Sequence, residues 1–272
     1  MFSCKEYRKV ETLEEAWQLN QKKSNLLVGG MLWVKMGQKN VQTVIDLSGL
    51  GLDKIEETEE EFRIGCMVTL RQLETDDSLN RYTGGAVREC VRHIVGVQFR
   101  NLATAGGSIF GRFGFSDVLT MFLAMDSYVE LYKGGIVPME QFVSMKWDRD
   151  ILVRVIVKKR QGAFAYRSMR NTKTDFPVLA CAVSYMDGKT RISVGARPAR
   201  AMVLTKETGI LTPETAALLG EYAAEQIPVG SNLRGSAEYR KHLVNVLVKR
   251  ACLALTEPKD GSGYHGGDLE CC

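Results

Sequence analysis

The chain has 272 residues, 45% hydrophobic and 25% charged, with 36 basic against 32 acidic side chains and a formal charge of +4. That composition supports one large or two moderate hydrophobic cores and excludes a disordered, collagenous or disulfide-scaffold protein. The charges are spread along the sequence rather than gathered into a block, so nothing argues for nucleic acid as a partner.

No stretch approaches the roughly 18 uninterrupted apolar residues of a membrane span, and Met1 to Val10 is charged without the apolar run of a signal peptide. A cytoplasmic protein with no membrane partner is predicted. Cysteines stand at 4, 66, 90, 181, 252, 271 and 272. Apart from the terminal pair no two are close enough for a metal knuckle, and they read as reduced thiols.

Thr12-Leu-Glu-Glu15 has the form of a capping box, followed by an apolar helix face of Leu13, Ala16, Trp17 and Leu19 that ends near Lys23. Leu26 to Val28 reads as a short buried strand running into Gly29-Gly30. A strand over Val41 to Leu47 and another over Phe62 to Val68 follow, then a helix from about Thr69. Val87, Cys90, Val91 and Ile94 recur at helical spacing between Gly84 and Val95. Asp117 to Met125 reads as a helix, Ser127 to Tyr132 as a strand, and Lys133-Gly-Gly135 as a hairpin turn. Pro138 is placed at a first helical position, and Ile151 to Val157 is a β-branched strand.

After Lys158 the pattern becomes a meander, with strands over Ala163 to Met169, Val178 to Met186, Arg191 to Ala196 and Ala201 to Leu204. Two helices close it, one opening at Thr212-Pro213 and one running from about Ser236 to Leu255. The polar, glycine-rich run from Asp260 to Asp268 predicts a tail that is disordered or orders on a partner. The expected division is 1–158, itself of two lobes (1–52 and 53–158), then 159–257, then a tail over 258–272.

Two glycine pairs carry the chemical signal. Gly29-Gly30 follows a buried strand, where a backbone without Cβ atoms can form a concave donor site for an anion, and Gly106-Gly107 offers a second. Two such loops can clamp the two phosphates of one dinucleotide from opposite sides. Neither single-loop device is present: there is no G-x-x-x-x-G-K-[ST], and Gly106, Gly107 and Gly111 lack G-x-G-x-x-G spacing. Each pair alone is more often a turn than a ligand loop. Three scattered histidines (His93, His242, His265) make no metal site or triad, and the run Glu56 to Glu61 reads as a solvated turn.

Asn25-Leu-Leu-Val-Gly-Gly-Met-Leu-Trp33, Thr104-Ala-Gly-Gly-Ser-Ile109 and Ser116-Asp117 together resemble the paired flavin signature of the FAD-binding medium subunits of molybdenum hydroxylases, the xanthine dehydrogenase and carbon monoxide dehydrogenase class. Tyr166-Arg-Ser-Met-Arg170, Asp175-Phe-Pro177, Gly195-Ala-Arg-Pro198 and Gly235-Ser-Ala-Glu-Tyr-Arg240 are similar to its C-terminal signatures, so the resemblance spans nearly the whole chain. It implies an α+β fold: a two-lobed FAD-binding domain of the vanillyl-alcohol-oxidase (PCMH) type, then a smaller α+β C-terminal domain with a β-meander and helices.

By the same resemblance, Leu26, Leu27, Val28, Gly29, Gly30, Met31, Leu32 and Trp33 form the first FAD loop, with the amides around Gly29 to Leu32 on the pyrophosphate. Thr104, Gly107 and Ser108 form the second. Asp117 accepts from a ribose or ribityl hydroxyl, and Leu152 and Arg167 match positions near the flavin. Met31 and Ser108 depart from the usual small polar residue and Asn. Phe110, Phe113 and Phe115 make the second loop aromatic, read equally as flavin shielding or as core packing.

The resemblance implies FAD as cofactor, with [2Fe-2S] clusters in a small partner subunit and a molybdopterin cofactor in a large one, in a heterotrimer or its dimer. This chain, which lacks a cluster-binding cysteine constellation, would pass electrons between those clusters and NAD(P) or another acceptor. No side chain is assigned a catalytic role, and no metal is assigned to this chain. Two other readings stay open: a structural or assembly subunit that has lost productive FAD binding, and a self-contained flavin oxidase.

Overall fold

The computed structural model describes residues 1–256. The expectations for the Asp260 to Asp268 run, His265, Cys271 and Cys272 lie outside the described residues. The chain opens with β1 (Ser3–Lys9), α1 (Leu13–Asn20), β2 (Leu26–Val28) and β3 (Asn40–Asp46). Both β1 and β2 pair in parallel with β3, giving a sheet of order β1-β3-β2. All seven residues of β1 are exposed, which is why no apolar alternation announced it: this edge strand is held by its ladder to β3, and its side chains face water.

The next stretch holds β4 (Ile55–Glu57), β5 (Glu61–Gly65), α2 (Leu70–Thr75), α3 (Asp77–Tyr82), α4 (Ala86–Val91), α5 (Val97–Arg100), α6 (Ala105–Phe110), α7 (Asp117–Ala124), β6 (Ser127–Leu131), β7 (Gly135–Pro138), α8 (Met139–Ser144) and β8 (Leu152–Lys158). Its strands form an antiparallel sheet in the order β4-β5-β8-β6-β7. The meander follows as β9 (Gly162–Arg170), β10 (Pro177–Met186), β11 (Lys189–Gly195) and β12 (Met202–Glu207), then α9 (Pro213–Gln226) and α10 (Ala237–Thr256). Its sheet runs β12-β11-β10-β9.

Two cores divide the meander between them. Phe164, Tyr166, Ala180 and Ala182 join the large core of the first 158 residues, whereas Ala165, Cys181 and Val183 pack with Leu219, Val244 and Val248 of the two closing helices. With both faces covered, β10 is buried at nine of its ten positions and loses the alternation of a half-exposed strand. Small side chains at Ala180, Ala182 and Ser184 let α7 lie close to the sheet, and the Ser184 hydroxyl donates to the Ala124 carbonyl. All eight residues of α7 are buried, as expected of a helix apolar on every side.

Several local expectations need correction. The Thr12 hydroxyl caps the Glu15 amide at 3.1 Å, but Glu15 does not return to Thr12; its carboxylate takes the Glu11 amide at 3.0 Å and Arg8 at 2.7 Å. Closed capping boxes form instead at Thr69 with Gln72 and at Thr212 with Thr215. Pro138 ends β7 and serves as N-cap of α8, so the helix begins one residue later than expected. The helix of Gly84 to Val95 shortens to α4, and Val95 adopts φ 51°. Glu56 to Glu61 is not a solvated turn throughout: Ile55 to Glu57 is β4, and Glu61 is buried with Arg63 and Lys158 as ion partners.

Candidate cofactor site

The first glycine pair leaves the end of β2, which is anchored through Leu26, Leu27 and Val28 to Val44, Ile45 and Asp46 of β3. Met31 then takes φ 58°, a left-handed conformation uncommon for a side chain of its kind and characteristic of loops shaped for a ligand. Lys35 donates to the Met31 carbonyl at 2.9 Å and closes the loop from behind. Among the described residues, none of the amides of Gly30, Met31, Leu32 or Trp33 donates to a protein carbonyl or side chain. Consecutive free amides around a left-handed residue are the makings of an anion nest.

The second loop lies directly against the first. A Cβ on Gly30 would stand 1.8 Å from the Leu102 carbonyl oxygen, and one on Gly29 would stand 2.4 Å from Thr104 Oγ1. Here the absence of a side chain is a geometric necessity, because the two backbones touch. The second loop is rigid: Leu70 N donates to Ala103 O (2.8 Å), Ala105 N to Val68 O (2.8 Å) and Gly106 N to Cys66 O (2.9 Å). A Cβ on Gly106 would meet Cys66 at 2.7 Å.

The donors of this second loop are largely spent within the protein. Gly107 N donates to Thr104 Oγ1 at 3.1 Å, while Ser108 gives both its amide (3.0 Å) and its hydroxyl (2.9 Å) to the Thr104 carbonyl. The residues Thr104, Gly107 and Ser108 are thus together, but as a capped helix start whose amides already have acceptors. Thr104 Oγ1 accepts one bond and retains its own proton for a ligand.

Ser116 ties this loop to Asp117: its hydroxyl donates to the Ser108 carbonyl at 2.7 Å and receives the Leu119 amide at 3.1 Å as the N-cap of α7. Asp117 is 4% exposed. Its Oδ1 receives Arg170 Nη2 at 2.7 Å and the Tyr166 hydroxyl. Burial pushes the Asp117 carboxyl above the usual carboxylate range, and the Arg170 charge opposes that shift. Leu152, at the start of β8, is 5% exposed and packs in the large core. Arg167 lies on β9 between Tyr166 and Ser168, on the strand face opposite the Tyr166 hydroxyl and Arg170; its Nη1 donates to the Tyr166 carbonyl at 3.1 Å. The structure therefore groups residues 29–33, 102–108 and Asp117, and turns Arg167 away from Asp117.

An aromatic wall rises beside the first loop. Trp33, 54% exposed, stacks on Phe176 with centroids 5.5 Å apart and meets Phe99 edge-on at 5.7 Å. Phe115 meets Phe176 edge-on at 4.9 Å and stacks on Phe113 at 5.1 Å. Phe113 and Phe115 are 52% and 40% exposed, so core packing does not explain them; Phe110 is the ring that packs against the core. Behind this wall a cleft of about 350 Å³ is lined by Phe113, Phe115, Phe176, Arg197 and Arg234, among others. Phe99, Phe176, Tyr166 and Arg170 had no assigned role in the sequence reading. Tyr166, Arg170 and Phe176 fall within quoted motifs, but the contacts of Tyr166 and Arg170 with Asp117, and of Phe176 with Trp33, join residues 49 or more positions apart, which spacing does not encode.

Burial pushes the Cys66 thiol up to about 12 and holds the thiols of Cys90 and Cys181 far above neutrality, so none of them is a ready nucleophile. Among the described residues no group of three or more His, Cys, Asp and Glu could hold a metal ion, and no helix is long and apolar enough to cross a membrane. The free amides at 30–33, the free Thr104 proton and the adjoining aromatic surface fit a group with an anionic centre and a flat ring, as FAD has.

Comparison with known proteins agrees. Residues 2–159 match the family model described as the FAD binding domain in molybdopterin dehydrogenase, and residues 164–255 match that of the CO dehydrogenase flavoprotein C-terminal domain. The chain is 26% identical over 271 residues to the nicotine 6-hydroxylase medium subunit of Paenarthrobacter nicotinovorans, covering 90% of this chain and 94% of that one. It is 25% identical to a xanthine dehydrogenase FAD-binding subunit of Escherichia coli O157:H7, covering 92% and 95%. Its fold is similar to that of a chain of quinoline 2-oxidoreductase from Pseudomonas putida 86, with a TM-score of 0.82 at 20% identity over 94% of this chain and 97% of that one. With more than half of its length matched by the first of these models, the chain belongs to the family of FAD-binding flavoprotein subunits of molybdopterin dehydrogenases.

Proposed function

We propose that this chain is the electron-transfer flavoprotein of a molybdenum hydroxylase complex. In that role it works between the [2Fe-2S] clusters of a small subunit and NAD(P) or another acceptor, with substrate hydroxylation on the molybdopterin cofactor of a large subunit. One observation carries the reading: four consecutive amides, Gly30 to Trp33, stand free in a loop pressed against a second, rigid glycine loop. The name of the nicotine 6-hydroxylase relative, a medium subunit, supports the placement within a complex of several chains.

When bound, FAD supplies both single-electron and hydride chemistry, and the protein contributes position and electrostatics. The amides of Gly30 to Trp33 bind the pyrophosphate, and Thr104 donates its hydroxyl proton to the same group from the facing loop. Asp117, next to Ser116 at the start of α7, accepts from a hydroxyl of the sugar chain. Trp33 and Phe176 form an apolar wall that orients the ring and excludes water from one side of it. Hydride transfer requires no side-chain acid or base, in keeping with buried thiols of raised pKa.

The visible spectrum of the purified chain, before and after denaturation, tests the reading. About one FAD released per chain is expected. A folded chain that stays colourless after reconstitution with FAD and its partner subunits overturns it.

A further inference from the structure

Asp117 and Arg170 come from opposite sides of the junction between the first 158 residues and the meander. Their side chains are 5% and 7% exposed, and the contact is 2.7 Å long. Replacing a buried ion pair with apolar residues is often neutral or stabilising, so the pair needs a reason other than stability.

The bonds of Arg170 supply one. Its Nη2 holds Asp117 Oδ1, its Nη1 donates to the Asp175 carbonyl at 2.5 Å, and its Nε reaches Ser168 Oγ at 3.3 Å. The Asp175 carboxylate accepts the Phe176 amide at 2.7 Å and both Nε and Nη2 of Arg234, at 3.0 and 2.8 Å. Phe176 stacks on Trp33. An unbroken chain of contacts thus runs from the buried carboxylate through one guanidinium to the aromatic wall beside the first glycine loop. Both side-chain donors to Asp117, Arg170 and Tyr166, fall on the same oxygen. The acceptor capacity of Oδ2 is left for a neutral hydroxyl, and an ionised acceptor binds such a donor more strongly than a neutral acid does.

We propose that Arg170 is a positioning residue for the cofactor: without touching FAD it fixes Asp117 for a sugar-chain hydroxyl and Phe176 for the ring wall at once, so that FAD affinity depends on the docking of the meander against the first 158 residues. This rests on the reading of the site as an FAD site. Planar, multidentate geometry is what the role requires, and a lysine supplies only a point charge.

The test is titration of the full-length chain with FAD, followed by flavin fluorescence, with thermal melting in parallel. Arg170→Met and Asp117→Asn are each expected to weaken FAD binding by about tenfold or more, the scale of one charge-assisted hydrogen bond. The double variant is expected to lose less than the product of the single losses, because both variants remove the shared Asp117–Arg170 bond. Arg170→Lys recovers part of the loss. A structural role would not move a further readout. Tyr166 of β9 and the Cys90 thiol of α4 also face Asp117, and neither supplies a positive charge. Loss of the Arg170 charge leaves burial unopposed at the Asp117 carboxyl, so the FAD affinity of Arg170→Met is expected to fall more steeply than that of the wild type as pH is lowered. If Arg170→Met does not fold, Tyr166→Phe, which removes one hydroxyl from the same oxygen, carries the comparison with a several-fold loss. A folded Arg170→Met that binds FAD like the wild type, or a double variant whose loss is the product of the single losses, overturns the proposal. A wild-type chain that binds no FAD overturns the site reading itself, a distinguishable failure.

Discussion

The contact between the glycine loops can be tested with a single methyl group. A Cβ on Gly30 lands 1.8 Å from the Leu102 carbonyl oxygen, against the 3.4 Å at which ordinary contact begins. The loops must therefore part by roughly 1.5 Å, and since the obstacle is backbone, no rotamer change relieves it. Overpacking of this kind costs about 1–3 kcal/mol of folding stability, and about 2–4 °C of Tm per kcal/mol in a domain of 150–250 residues. The effect on ligand binding is larger. Amides displaced by more than 1 Å lose aligned bonds to an anion worth about 1.5–3 kcal/mol each. The loss of one or two of them weakens FAD binding about 100-fold. Gly29→Ala meets only the Thr104 side chain, at 2.4 Å, and is expected to cost less, since that hydroxyl can rotate at the expense of the Gly107 cap. Gly230→Ala, where a Cβ meets nothing within 4 Å, is the control. FAD titration and thermal melting of the three variants should give the order Gly30 worst, Gly29 intermediate and Gly230 unchanged. A folded Gly30→Ala with wild-type FAD affinity would refute the opposed-loop site.

Thr104→Ala removes the cap of the Gly107 amide and is expected to cost about 1 kcal/mol along with FAD affinity; chemical denaturation should show Thr104→Ser recovering most of both. Arg240 is 1% exposed and donates to the carbonyls of Val178, Gly230 and Gly235 and to Asn232. Arg240→Met should therefore destabilise the chain by about 3 kcal/mol or more, read as a lowered denaturation midpoint that Arg240→Lys does not restore. Lys133, Tyr132 and Gln18 lower the Glu14 carboxyl from 4.5 to about 2. A depressed carboxylate stabilises above its unfolded pKa and loses that contribution as pH falls through the folded one. The melting-temperature advantage of wild type over Glu14→Gln should thus be present at pH 5 and gone near pH 2. Alkylation at pH 8, mapped by peptide, should label exposed Cys4 and spare Cys66, Cys90, Cys181 and Cys252 until the chain unfolds.

The elements legible in the sequence were those whose signal is local. The helix of α7, the strands of the meander and the helix opening at Thr212-Pro213 follow from apolar runs and caps, and the structure has them within a few residues. Elements without such a signal were not legible: β1 is polar on both faces, and β4 sits inside a run of glutamates. At the site, the two glycine pairs and Ser116-Asp117 were visible as motifs. The partners that give them meaning were not, because Phe176 finds Trp33 and Arg170 finds Asp117 only after three sheets have packed together. The second loop shows the limit of motif reading most clearly. Thr104, Gly107 and Ser108 are where the motif puts them, yet Thr104 takes up the amides of the other two.

Taken alone, the sequence determined the family, through glycine pairs and polar motifs whose order along the chain is itself the signal. The resemblance carried the α+β class with it, and local periodicity, near 3.6 residues in helices and two in strands, placed many of the individual elements. Tertiary structure decided which donors remain free for a ligand, where Asp117 finds its counter-charge, and that the exposed rings form one wall. Those properties belong to pairs of residues brought together across the chain, and a backbone amide is available only if no other part of the fold has already taken it.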